Sequence, residues 1–358
     1  MKVGIVGLPN AGKSTLFNAL TRAGAETGDY PFTTIDPNVA VVPVPDERLE
    51  RVAETIGSNK VVHETISFHD IAGLVRGASE GEGLGNQFLA AIRETDAICH
   101  VIRCHASGDV PHPEGRIDPL DDAEIIETEL LAADLEQAQG RLDRVTKSAR
   151  SGAKEAVAER EWLGAVVEAL AAGRPVREVE APAAAPDAPR LLAALTSKPV
   201  LYVANVAEGE DDPPPQLVEH VAAVGARAVA ISARVEAELG ELDDPEEAAE
   251  LRSGLGISEA GLDRLVRAAF DLLDLITFFT ADRDREAVSH SLRRGSTAWE
   301  AAGEVHTEIQ AAFVRAEVIG WSDLVDAGGY TAARERGTLR IEGRDYVVAD
   351  GDVVHIKT

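Results

Sequence analysis

The chain has 358 residues, 45% of them hydrophobic and 27% charged, with a formal net charge of -27. That length leaves room for two or three domains with ample cores, and the acidity argues against broad electrostatic adhesion to nucleic acid, so no DNA partner is expected. No apolar run approaches the roughly 20 residues a membrane span needs, so no membrane partner is expected either.

The first predicted element is an apolar strand, Lys2–Val6. It begins so near the N-terminus that no signal peptide is expected. Gly7-Leu-Pro-Asn-Ala-Gly-Lys-Ser14 follows and matches G-x-x-x-x-G-K-[ST] between a strand and a helix start, the context of a phosphate loop. Here Asn10, Ala11, Gly12, Lys13, Ser14 and Thr15 would cradle phosphates through backbone N–H groups. The Lys13 ammonium would reach the terminal phosphates, and the Ser14 hydroxyl would ligate Mg²⁺.

Tyr30-Pro-Phe-Thr-Thr-Ile-Asp-Pro-Asn38 suits a loop that closes on Mg²⁺, with Thr34 preferred to Thr33 as ligand. A strand over Val39–Val44 precedes Asp46–Ile56, where Leu49, Val52, Ala53 and Ile56 form one apolar helical stripe. After the strand Thr65–His69 comes Asp70-Ile-Ala-Gly73. Asp70 is placed to hold the Mg²⁺ shell, and the Gly73 N–H to approach a γ-phosphate. Leu74 stands where a glutamine would orient the attacking water, so intrinsic hydrolysis should be slow, on the order of 10⁻⁴ to 10⁻² s⁻¹. Two groups can supply the missing step. Asn10 can hold K⁺ against the phosphates or make an ordinary loop hydrogen bond. His112, in the loop Asp109–Asp118 after the strand Ala97–Arg103, can swing to the γ-phosphate or stay solvated. Cys99 and Cys104 lack metal-ligand spacing and read as reduced thiols of a cytoplasmic protein.

From Asp118 to Arg177 the strand signal stops. Ile125, Ile126, Leu130, Leu131, Leu135, Ala138, Leu142 and Val145 recur at helical spacing, which predicts an inserted helical hairpin, possible as a coiled coil. Ala181–Pro189 is a return loop, and the α/β pattern resumes at Pro199–Ala204 and Ala228–Ile231. Asn205-Val-Ala-Glu208 stands where a guanine site carries Asn-Lys-x-Asp. Val206 replaces the lysine whose stem covers the base, and Glu208 is a methylene too long to meet guanine's donor pair. Asn205 can accept from an adenine amine, and Ser232 and Ala233 can close over the base. ATP is therefore expected over GTP. A helix over Ser258–Leu273 closes this region, and residues 275–358 form a compact α+β module with short strands around Trp299–Ile309. Residues 278–358 hold 10 Lys and Arg against 14 Asp and Glu, so the acidic excess lies mostly before them. Any RNA contact belongs there, where Arg293, Arg294, Arg334 and Arg336 can bind phosphate or remain solvated.

The phosphate loop, Tyr30-Pro-Phe-Thr-Thr34 and Asp70–Phe88 resemble the Obg-related P-loop NTPases. Asn205–Glu208, Ile231–Leu239, Asp122–Leu130 and the runs Ala302–Ile309, Phe313–Ile319 and Glu342–Asp352 resemble the YchF subfamily among them. The resemblance spans essentially the whole chain. It implies a Ras-like P-loop NTPase with a doubly wound α/β sheet over 1–117 and 196–274, a helical insert over 118–195, and a ubiquitin-like TGS domain over 275–358. It further implies a cytoplasmic ATPase that tolerates GTP, binds the large ribosomal subunit and its rRNA, and acts in translation or stress responses. The subfamily's catalytic loop histidine aligns with His112. A guanine-preferring GTPase, or a nucleotide-gated binding protein with negligible turnover, stays as the alternative. The tail Val354–Thr358, without an aromatic ending, and Ala181–Ala194 depart from the subfamily pattern.

Overall fold

The computed structural model describes residues 1–26, 38–71, 84–106, 115–150, 152–242, 244–255, 257 and 259–358. Thr34, Gly73, Leu74 and His112 lie outside these residues. In chain order the first elements are β1 (Lys2–Val6), α1 (Lys13–Glu26), β2 (Val39–Pro43), α2 (Glu47–Ile56), β3 (Lys60–Val62), β4 (Thr65–Asp70), α3 (Leu84–Arg93) and β5 (Ala97–Arg103). The insert and the rest of the α/β part follow as α4 (Pro119–Ala149), α5 (Lys154–Ala171), α6 (Ala188–Leu192), β6 (Val200–Asn205), α7 (Pro215–Ala223), β7 (Arg227–Ile231), α8 (Ala233–Leu239), α9 (Pro245–Gly254) and α10 (Gly261–Leu272). The last stretch holds β8 (Leu275–Ala281), β9 (Glu286–Arg293), α11 (Ala298–Val305), α12 (Thr307–Ala311), β10 (Arg315–Gly320), α13 (Trp321–Ala327), α14 (Tyr330–Arg336), β11 (Arg340–Glu342) and β12 (Asp352–Lys357). Among the described residues no helix is long and apolar enough to cross a membrane.

The chain forms two compact units, one of residues 1–42 and 67–265, the other of 43–66 and 266–358. In the first, a six-stranded sheet runs β2-β4-β1-β5-β6-β7, and β1, β4, β5, β6 and β7 pair in parallel. β5 is buried along its whole length, as a parallel strand covered on both faces must be. The insert is a hairpin of α4 and α5. Asp118 caps α4 by accepting from the N–H groups of Leu120 and Asp121. Ala138, Val145, Trp162, Leu163 and Val166 pack the two helices together. The hairpin is pinned to its own unit by Asp134, whose buried carboxylate accepts from Leu195 N at 2.8 Å and from Thr196 N and Oγ1 at 2.7 Å.

In the second unit a sheet runs β11-β10-β12-β8-β9-β3. The segment 43–66, expected within the nucleotide-binding domain, packs here instead. The reason is the predicted apolar stripe of α2, in which Leu49, Val52, Ala53 and Ile56 are buried. It finds Phe279, Ala287, Ile319, Leu324 and Val353 as its core partners, and β3 then adds to β9 in register Val61↔Ala287. The strands expected around Trp299–Ile309 are helices. Thr297 and Glu300 form a capping box that starts α11, and the alanine-rich run after it favours helix over strand. Arg294 pairs with Asp274 at 3.0 Å and Arg334 with Glu317 at 3.2 Å, which weakens both arginines as free phosphate ligands.

Candidate nucleotide-binding site

The phosphate loop owes its shape to two glycines in left-handed conformations. At Gly7, φ is 154° and a Cβ would fall 2.4 Å from the Val101 carbonyl oxygen of β5. At Gly12, φ is 101° and a Cβ would fall 2.2 Å from Asn205 Nδ2. No side chain fits at either place, so the loop lies against β5 and against Asn205 at the end of β6. Its backbone then turns directly into α1, whose N-terminal N–H groups favour an anion.

An open pocket of about 290 Å³ lies over this loop, walled by Asn10, Gly12, Lys13, Ser14 and Thr15 on one side and by Arg103, His105, Asn205, Ala233 and Arg234 on the other. Lys13 is 8% exposed and donates from Nζ to the Leu8 carbonyl at 2.9 Å. Burial lowers its ammonium from the usual value, and the nearby Asp70 carboxylate pulls it back up. Asp70, at the end of β4, shows the converse. Burial raises its carboxyl and Lys13 opposes the rise.

Asn205 is the brace of the site. Its Nδ2 donates to the Ala11 carbonyl at 3.0 Å, and its Oδ1 accepts from Ala233 N at 3.1 Å. One side chain thus ties the phosphate loop to the start of α8. Its oxygen, expected to meet an adenine amine, is already engaged with the backbone.

Seven of the residues expected at the nucleotide do converge: Asn10, Gly12, Lys13, Ser14, Thr15, Asn205 and Ala233. Ala11 contributes its carbonyl to the brace. Val206 does not join them. It is 2% exposed and packs with Ile102, Tyr202, Ala204, Leu217 and Val221. Glu208 is exposed, and Ser232 half-buried, and neither lines the pocket. Three unforeseen residues do. Arg103 is 2% exposed, with Nε donating to the His105 carbonyl at 3.2 Å. Burial first and Arg103 second lower the His105 imidazole below its ordinary value. Arg234 is exposed and bonds Glu238 at 2.7 Å. A signal existed for Arg103, a charge closing an otherwise apolar strand, and for Arg234, directly after Ser232-Ala233. Among the described residues no carboxylate lines the pocket, while Lys13, Arg103 and Arg234 do. In a chain this acidic, that local excess of positive charge selects an anion.

The chain is similar to known proteins. A family model described as 50S ribosome-binding GTPase matches residues 2–136, and a model named YchF-GTPase_C, described as a protein of unknown function, matches residues 275–358. The chain is 45% identical over 363 residues to the ribosome-binding ATPase YchF of Bacillus subtilis, covering 100% of this chain and 99% of that one. It is 46% identical over 357 residues to the same-named protein of Escherichia coli O157:H7, covering 99% and 98%. The solved structure of the Schizosaccharomyces pombe YchF GTPase aligns over 100% of this chain and 97% of its own, with a TM-score of 0.88 and 34% identity.

Proposed function

The chain belongs to the YchF family of P-loop NTPases, and from that membership we propose a slow, Mg²⁺-dependent ATPase that binds ribosomes and switches with its nucleotide state. The observation that carries the reading is the pocket over the phosphate loop, where Lys13, Ser14 and Thr15 face Asn205 and Ala233. The protein hydrolyses nucleotide, as its relatives named ribosome-binding ATPases do.

ATP over GTP is supported by what the base would meet. Guanine presents two donors on one edge and needs a carboxylate to accept them, and no carboxylate lines the described pocket. An unpaired donor set is what lets a polar site reject a substrate. Calorimetric titration with ATP, ADP, GTP and GDP is expected to give at least a tenfold preference for the adenine nucleotides. A tenfold preference for GTP would return the protein to the guanine class.

The donors present suit Mg²⁺, which takes hard oxygens and is bound by one or two protein groups plus phosphates. Ser14 and Asp70, with Thr34, are the residues that would hold it, and the ion would neutralise charge on the bridging phosphates. Lys13 positions the terminal phosphates, and the amides of Gly12 to Thr15 hold the remainder.

Turnover needs a group in place of the glutamine that Leu74 displaces. His112 and a K⁺ held by Asn10 are the proposed replacements. His112→Ala should lower kcat by about 10- to 100-fold and leave the ATP dissociation constant within twofold, because general acid–base help acts in the transition state. Single-turnover rates with matched nucleotide titrations separate the two effects. Exchange of K⁺ for Na⁺ should slow hydrolysis severalfold in the same assay, and an unchanged rate would leave Asn10 an ordinary loop residue.

For the ribosome, the large subunit and its rRNA are the proposed partners. The less acidic C-terminal unit is the proposed contact, and binding there should weaken steeply with salt if phosphates are touched. The proposed role is a switch in translation or stress responses.

A further inference from the structure

A second cavity, sharing no residue with the nucleotide pocket, lies between β5 and β6 on one side and the base of the helical insert on the other. It encloses about 70 Å³, several times the roughly 10–15 Å³ that one water needs. Ile98, Ile126, Leu130, Val200 and Val224 give it apolar walls, and Gly173 and Arg177, both exposed, mark its mouth.

Its polar content is concentrated and incompletely satisfied. His100 projects into it from the middle of β5, is 2% exposed, and its Nε2 has no hydrogen-bond partner among the described residues. A buried polar atom left unpaired costs on the order of 1–3 kcal/mol. Beside it, ring centroid to ring centroid at 5.4 Å, stands Tyr202. The Tyr202 hydroxyl donates to Glu127 Oε1 at 2.6 Å, and His220 Nε2 meets the same oxygen at 2.9 Å. Those three groups satisfy one another. The His100 imidazole lines the void, and burial, with Lys13 and His220 adding to it, holds its pKa down to about 3, so it is neutral.

We propose that this cavity is a binding site for a small neutral molecule with an apolar body and a hydroxyl, the hydroxyl on His100 Nε2. A hydroxyl both donates and accepts, so it satisfies that nitrogen in either tautomer. The apolar walls require an apolar body, and a charged group at that depth would be costly to desolvate. The two pockets share no residue, so the proposal does not rest on the nucleotide reading.

The test uses 4-fluorophenol as the probe, followed by fluorine NMR on the full chain with and without saturating ATP. Saturable binding is expected, with no displacement by ATP. Fluorobenzene, which has the ring without the hydroxyl, should bind at least tenfold more weakly. His100→Phe should weaken the phenol at least tenfold, and Val224→Phe, which narrows the cavity from a half-buried position and spares the buried strand, should do the same. Absence of saturable binding, displacement by ATP, equal affinity for the two probes, or full binding to a folded Val224→Phe variant would each overturn the assignment.

Discussion

Lys13→Ala is expected to lower kcat/KM for ATP by about 10²- to 10³-fold, the cost of removing one preorganised donor from a site of developing charge. The ammonium is held for this task before any phosphate arrives. It is 8% exposed, fixed on the Leu8 carbonyl at 2.9 Å, and electrostatically supported by Asp70. A buried cation whose own pKa is depressed by burial gains most when a polyanion replaces its lost water. Fluorescent-nucleotide titration together with steady-state phosphate release measures the loss. Stability should move little, within about 1 kcal/mol in urea, because one net hydrogen bond is lost while one buried charge is relieved. Lys13→Arg should not rescue activity. The planar guanidinium is wider than the ammonium, and the loop closes tightly about that side chain. Turnover by Lys13→Ala equal to that of the unaltered chain would disprove the phosphate-loop assignment.

How much of this was readable beforehand depends on whether local chemistry or long-range packing decides the feature. The phosphate loop is local. Its two glycines are demanded by backbone angles and close approaches that no other residue tolerates, so the string alone locates it. The insert is nearly as plain, because an apolar repeat on a charged background has one compact solution, a pair of helices. The stripe of α2 was equally legible as a stripe. Nothing in Leu49, Val52, Ala53 and Ile56 says which apolar surface they will cover, and the partners proved to be over 200 residues away, from Phe279 to Val353. Val206 illustrates the same limit at the scale of one side chain. Alignment with a guanine motif set it beside the base, whereas its apolar character took it into the core beneath β6. Arg103 ends a fully buried strand, a position that in sequence reads as core. The strand's register opposite Asn205 is what delivers it to the pocket. Thr297–Ala311 needed a different reading of local evidence, since the Thr-x-x-Glu pattern of a capping box was present in the sequence and outweighed by an expectation of strands.

Asn205→Ala should be the more damaging change to the fold of the site. The side chain is 6% exposed and both its ends are used, Nδ2 on Ala11 O at 3.0 Å and Oδ1 on Ala233 N at 3.1 Å. Truncation leaves a carbonyl and an N–H buried without partners. At about 1–3 kcal/mol for each such group, a loss of about 2–6 kcal/mol in unfolding free energy is expected. Nucleotide affinity should fall with it, by about 10- to 100-fold, since the loop is no longer tied to the start of α8. Asn205→Asp separates the two ends. It keeps an acceptor for Ala233 N but sets a carboxylate oxygen against the Ala11 carbonyl, two acceptors with no proton between them. It should therefore destabilise at least as much as alanine near neutral pH, and recover part of the loss in acid as the carboxyl takes up a proton and can donate to Ala11. Urea unfolding at two pH values, read beside ATP titrations, distinguishes a brace from a mere base contact. A base contact would cost affinity and leave the unfolding midpoint where it was.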